Sequence, residues 1–310
     1  MAILNPGQGQ LVLPEVMWAL VRYLSSTQNC SREQLLFRVS PDALRASGGT
    51  QSTLRWMLDT DLLVEATDGR IEFGEVFVTA PPKTEAAFKR GLRESLFGDP
   101  RNDALIDDTV QDRGLDLVRG LCWLLAQDPV TTVWNWASAQ TSGAEKAGAG
   151  AGPTLAGFAG RMIVNDTRWN MFVHWAHYMG FAERWTIGRG STASMGVSLI
   201  SSPARAVADA IVELWTPGVE VPAEDFCARI LDVLPVIPGG RLSQSVGSVS
   251  DTTAVHPTLS YAMLVHSFSG LLAFADKSDA SGTVLLDLGH EDDRKSRRIS
   301  SVTIGKAKRG

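Results

Sequence analysis

Residues 255–289 constrain what this chain can fold into more than any other stretch. Leu259, Met263, Leu264 and Phe268 recur at three- and four-residue steps behind Pro257, which predicts an amphipathic helix opened by the proline and ended by Gly270. Leu271, Leu272 and Phe274 then read as a short strand, Asp276 to Gly282 as a polar turn, and Val284, Leu285, Leu286 and Leu288 as a returning strand. A helix running straight into a hairpin is the closing part of a winged helix-turn-helix, a module that binds DNA or another protein. Two further helices are expected upstream. Pro203 opens one bearing Val207, Ile211 and Leu214, and Val221 to Leu234 supplies the other through Phe226, Ile230 and Leu231.

Residues 14–75 repeat the plan on a smaller scale. Pro14 opens a helix with Val16, Met17, Leu20, Val21 and Leu24 on one face, and Ser31 with Gln34 forms a capping box for a second helix carrying Leu35, Leu36 and Val39. Gly48 and Gly49 make a turn. A third helix containing Leu54, Met57 and Leu58 comes next, with Thr50 or Ser52 as its expected cap, and Asp68-Gly69 joins two short strands.

The region between reads as helical, over Thr84 to Leu96, Asp107 to Gln127, Val130 to Gln140, Leu155 to Val164 and Thr167 to Met179. Residues 143–152 are rich in Gly and Ala but lack the Lys-Ser/Thr of a phosphate loop, so they read as a connector. The expected fold is mainly α with small β-hairpins: a winged-helix domain at 1–80, a Trp-rich helical domain at 81–200, a second winged-helix domain at 201–290 and a basic tail at 291–310.

Charge decides which of these parts suit nucleic acid. The chain carries a net charge of −5, against bulk coating of DNA. Residues 1–80 hold six basic and nine acidic side chains, so although Gln51, Ser52 and Arg55 of the third helix are candidates for contacting DNA, protein docking is the favoured use of this module. The helix at 257–269 has neither Lys nor Arg. Positive charge gathers instead at the C-terminal end, where Arg294, Lys295, Arg297, Arg298, Lys306, Lys308 and Arg309 occur without an acidic residue among them, compatible with either a phosphate contact or a solvated tail.

Six of the nine tryptophans fall between Trp123 and Trp185. Trp134, Trp136, Trp169 and Trp175 are candidates for docking a partner, or for packing a tight bundle. His174 and His177 sit three apart on a helix but lack the further ligands a metal needs. No catalytic, cofactor or metal motif emerges, so no enzymatic activity is expected. Cys30, Cys122 and Cys227 are too few and too scattered for a disulfide framework, which with the lack of a secretory signal or membrane-length apolar run implies a reducing cytoplasm.

The order Leu4-Asn5-Pro6, Leu13-Pro14-Glu15, Ser202-Pro203, Leu234-Pro235, Gly239-Gly240-Arg241, Gly270-Leu271-Leu272, Lys277-Ser278-Asp279-Ala280 and Arg297-Arg298-Ile299-Ser300-Ser301-Val302 resembles the DpdG proteins. Those are encoded beside the machinery that inserts 7-deazaguanine bases into bacterial DNA. The resemblance implies a part in a multi-protein DNA-modification or restriction system directed against foreign DNA. The expectation is a non-enzymatic adaptor that docks other subunits of such a system, touches DNA weakly and can self-associate; a winged-helix transcriptional regulator is the alternative.

Overall fold

The structure, a computed structural model, describes residues 3–4, 11–27, 30–40, 48–98, 100–107, 114–141, 163–185, 197–247, 254–278, 282–287 and 296–306. Among them are twelve α-helices and four small sheets. The chain divides into two compact units, Met1–Asn102 with Thr109–Leu117, and Asp103–Asp108 with Val118–Gly310. No helix among the described residues is long and apolar enough to cross a membrane.

In unit 1, α1 (Pro14–Ser26) buries Val16, Met17, Leu20, Val21 and Leu24, the face its spacing predicts. The capping box forms as expected at the start of α2 (Arg32–Val39): Gln34 N–H donates to Ser31 Oγ at 3.3 Å, and Ser31 N–H to Gln34 Oε1 at 3.1 Å. The third helix, α3 (Gly49–Asp59), starts earlier than its sequence implies. Its N-cap is Gly48 at φ +65°, and no side chain caps it. Neither Thr50 nor Ser52 fills that role, because both lie inside the helix and are buried. Thr53 faces inward too and ties α3 to the segment before α1, accepting from Leu13 N–H at 3.2 Å and donating to Leu11 O at 3.2 Å.

The hairpin β1 (Leu63–Glu65) and β2 (Ile71–Phe73) is antiparallel, with Gly69 at φ +79° in its turn and Asp68 Oδ1 accepting from Arg70 N–H. Ser31 bridges Arg70, so the start of α2 adds a third rung. Unit 1 runs past residue 80. α4 (Glu75–Val78) and α5 (Glu85–Gly98) complete it, Phe88 stacking on Trp18 at 5.7 Å. Asp116, in the first turn of α6 (Leu115–Leu125), accepts from the N–H groups of Ile3 and Leu4 and so fixes the amino-terminal segment.

Unit 2 opens with the rest of α6. Arg119 is 1% exposed and donates to the carbonyls of Ala104, Leu105 and Asp107, which end a short 3-10 helix. The segment at 130–140 is not one helix: Val133–Trp134 form β3, and Asn135 with Ser138 then caps α7 (Trp136–Thr141). After α8 (Asp166–Tyr178), Gly180 turns at φ +84° into β4 (Ala182–Trp185), which pairs with β5 (Ser198–Ser201). β5 also pairs with β3, so the middle region carries a three-stranded sheet of order β3-β5-β4 where only helices were expected. Trp134 belongs to a strand because β5 offers its backbone groups a partner. The Gly-Ala stretch 143–152 lies outside the described residues, as does nearly all of the helix expected at 155–164.

The C-terminal part consists of α9 (Ala204–Leu214), β6 (Glu220–Pro222), α10 (Ala223–Val233), α11 (Arg241–Ser245), β7 (Ala254–Val255) and α12 (Pro257–Ser269), then four more strands. As predicted, Pro257 opens α12 and Gly270, at φ +77°, closes it. Phe268 does not join its buried face and is 89% exposed. The strand after it, β8 (Leu272–Ala275), does not pair with the nearest strand β9 (Val284–Leu286). Its partner is β11 (Ser301–Ile304), which sets Val302 opposite Phe274 and Ile304 opposite Leu272, while β9 pairs with β10 (Arg297–Ile299) and β7. β11 is the middle strand of a sheet β6-β11-β8 and buries Val302 and Ile304. Residues 297–299 and 301–304, within the expected tail, are therefore strands, and they bury Ile299, Val302 and Ile304.

Candidate nucleic-acid interface

The exposed side of α3 gathers most of the residues put forward for DNA contact in unit 1. Gln51 and Arg55, one helical turn apart, are exposed, and neither makes a side-chain bond to another described residue. They line a hollow of about 520 Å³ together with Gly48, Ser52, Leu58, Asp59 and Arg32 of α2. Ser52 contributes from beneath, at 8% exposure. Arg32 went unnoticed in the sequence because nothing in linear spacing ties the first turn of α2 to α3. Its pairing with Glu65 is loose, 3.6 Å between groups each more than a third exposed, and such pairs contribute about 0–1 kcal/mol. Two guanidinium groups thus face one lining carboxylate, a local surplus of positive charge on an acidic module.

α12 is placed quite differently. Thr258 Oγ1 donates to Leu125 O at 2.6 Å, so the first turn of α12 is tied to the end of α6. Ser260 Oγ accepts from Asp287 N–H at 3.0 Å, which holds the residue after β9 against the helix. His266 Nε2 meets Ala204 O at 2.7 Å at the start of α9, and burial lowers the His266 pKa. α12 buries Thr258, Leu259, Ser260, Ala262, Met263 and His266 and packs chiefly on α9 and β8, while Phe268 and Ser269 at its end are exposed.

The basic C-terminal residues divide. Arg297 lies flat over Phe274, 5.2 Å from the ring centre, and Arg298 meets Asp276 at 3.5 Å, both arginines on exposed positions of β10. Lys306 is exposed. Arg294, Lys295, Lys308 and Arg309 fall outside the described residues. Lys277, the one basic residue at the end of β8, is bonded to Glu220, and this contact together with Ser301 holds the Glu220 carboxyl below its ordinary range.

Most of the tryptophans proposed as docking anchors are core. Trp169 and Trp175 are 2% and 0% exposed, and Trp134, at 9%, sits edge-on to Trp123 at 5.0 Å. Their area is spent inside unit 2, leaving Trp136 half-buried and Trp185, at 52%, the open one. His177 Nδ1 accepts from Arg205 at 2.7 Å, so its lone pair is already engaged; burial, then the Arg205 charge, lowers its pKa. His174 also has a partner, and no group of three His, Cys, Asp or Glu able to hold a metal exists among the described residues. Burial pushes the Cys227 thiol up to about 12 and the Cys122 thiol higher.

No curated protein and no solved structure matches the chain. The family model described as DpdG-like matches residues 1–280, which takes in α1 through the turn after β8. With nine-tenths of its length inside that match, the chain belongs to the DpdG-like family.

Proposed function

We propose that this chain is a non-enzymatic adaptor and DNA-associated subunit of a multi-protein DNA-modification or restriction system that acts on foreign DNA, in the 7-deazaguanine setting its family implies. Its modules at 14–75 and 204–304 are read as winged helices, the second with a long insertion between the two strands of its wing. The observation that carries this reading is the outward face of α3, with Gln51, Arg55 and Arg32 around one hollow in a module that is otherwise acidic. A single small cationic face supports weak DNA contact added to protein docking. It does not supply the many phosphate contacts on which stand-alone binding depends. The ties of Thr258, Ser260 and His266 to neighbouring elements and the lack of Lys or Arg in α12 weigh against a transcriptional regulator, which would need that helix to read a second half-site.

Affinity purification from cells that also express the neighbouring genes tests the proposal. Stoichiometric co-purification of other subunits is expected, together with duplex binding that does not discriminate between sequences. A chain that elutes alone, or that selects its own promoter over unrelated duplex at physiological salt, overturns the adaptor reading.

A further inference from the structure

Four features of the hollow, which runs along α3 from Gly48 to Asp59, call for the same ligand chemistry. The helix is 11 residues long and its N-cap is a glycine with no side chain to occupy the first-turn N–H groups, so the positive end of its dipole is uncapped. Arg55 and Arg32 line the hollow from two different helices. Arg55 has no ion-pair partner among the described residues. Ser52 is 8% exposed, lines the same hollow, and its hydroxyl makes no hydrogen bond to any described residue.

We infer that this hollow is a phosphate subsite for the backbone of a DNA strand. An uncapped helix start, a hydroxyl and two guanidinium groups offer more donors than the two oxygens of a carboxylate can accept, and they match a tetrahedral oxyanion. Phosphate contacts position a protein without reading bases, so the subsite works independently of sequence. Asp59 on the rim keeps the affinity low, as an adaptor that is held mainly by its protein partners requires. The inference rests on unit 1 being the DNA-facing module of the proposed adaptor.

Fluorescence anisotropy of the full-length chain with a short labelled duplex tests it, at low and moderate salt. Arg55→Ala is expected to weaken binding about fivefold or more and to reduce the salt slope by about 1. Ser52→Ala should weaken binding about two- to fivefold with the slope unchanged. Arg229→Ala, at an exposed position of unit 2 paired only loosely with Asp232 at 3.9 Å, should stay within about twofold. Inorganic phosphate should displace the duplex more effectively than chloride at equal ionic strength. Equal losses from Arg55→Ala and Arg229→Ala would reduce the site to bulk charge and overturn the inference, as would equal competition by phosphate and chloride. Arg55-dependent binding of a polyglutamate peptide as tight as that of the duplex would also overturn it, giving the hollow to an acidic protein segment. Failure here with subunit co-purification intact removes the subsite alone; loss of co-purification with duplex binding intact removes the adaptor.

Discussion

α3 and α12 stand at comparable points of the chain, each the last helix before a strand. α3 leaves Gln51 and Arg55 exposed beside a hollow. α12 is held by Thr258, Ser260 and His266 to three different elements. The difference comes from the strands that succeed each helix. Behind α3 the chain returns at once through the turn at Asp68-Gly69, and the two strands of the hairpin pair with each other and with the backbone at Cys30 and Ser31. Behind α12 the segment between β8 and β11 is long enough to form β9 and β10, and those strands fold back beside β7 against the helix. α3 therefore carries exposed Gln51 and Arg55 on its outer face, whereas α12 is tied to its neighbours through three side chains.

The contrast predicts unequal responses to substitution. Leu259→Ala in α12 removes a 1%-exposed side chain and is expected to destabilise unit 2 by about 2–5 kcal/mol in denaturant unfolding. A loss under about 1 kcal/mol would mean that Leu259 does not pack in the core. Thr258→Val should cost about 1–3 kcal/mol, because it leaves the buried Leu125 carbonyl without its donor; an unchanged midpoint would show that the tie between α12 and α6 is dispensable.

A smaller effect depends on pH. Burial lowers the pKa values of His177, His256 and His266 in the folded chain. Below their unfolded value of about 6.5 the unfolded state therefore binds more protons, and the stabilisation present above that pH is lost as pH falls towards the folded values. Unfolding midpoints should drop between about pH 7.5 and 5, and His266→Gln should flatten the profile. A profile that is level, or that rises on acidification, would remove these imidazoles from the balance. The smallest changes belong to exposed positions: Gln51→Ala on α3 and Phe268→Ser on α12 should each shift stability by no more than about 0.5 kcal/mol. A larger loss for Phe268→Ser would place that ring in a contact.

Local chemistry made several elements readable. Ser31 and Gln34, Pro14 and Pro257, Gly270 and the Asp68-Gly69 turn each mark a boundary through groups only a few residues apart, and each boundary falls where the residues imply. Gly180 carried the same information as Gly270. Both end a helix in the left-handed region one or two residues ahead of a strand, and that parallel could have revealed β4 inside the region read as helical. Of the candidate site, Gln51 and Arg55 were legible as polar positions one turn apart on the helix face opposite Leu54 and Met57. Arg32 was not, since its place at the hollow depends on how α2 packs beside α3.

By itself the sequence determined the ends of α1, α2 and α12, the buried face of α1, the acidic balance of the chain and its basic C-terminal cluster. Those properties depend on backbone sterics, capping groups and composition within one or two turns. Tertiary structure alone decided that β8 joins β11 across the intervening β9 and β10, that three of the candidate tryptophans are core, and that α12 is tied to α6 through Thr258. Strand partners and buried faces are chosen by competition among distant segments for the same backbone hydrogen bonds and the same apolar area, and no local pattern records which of them wins.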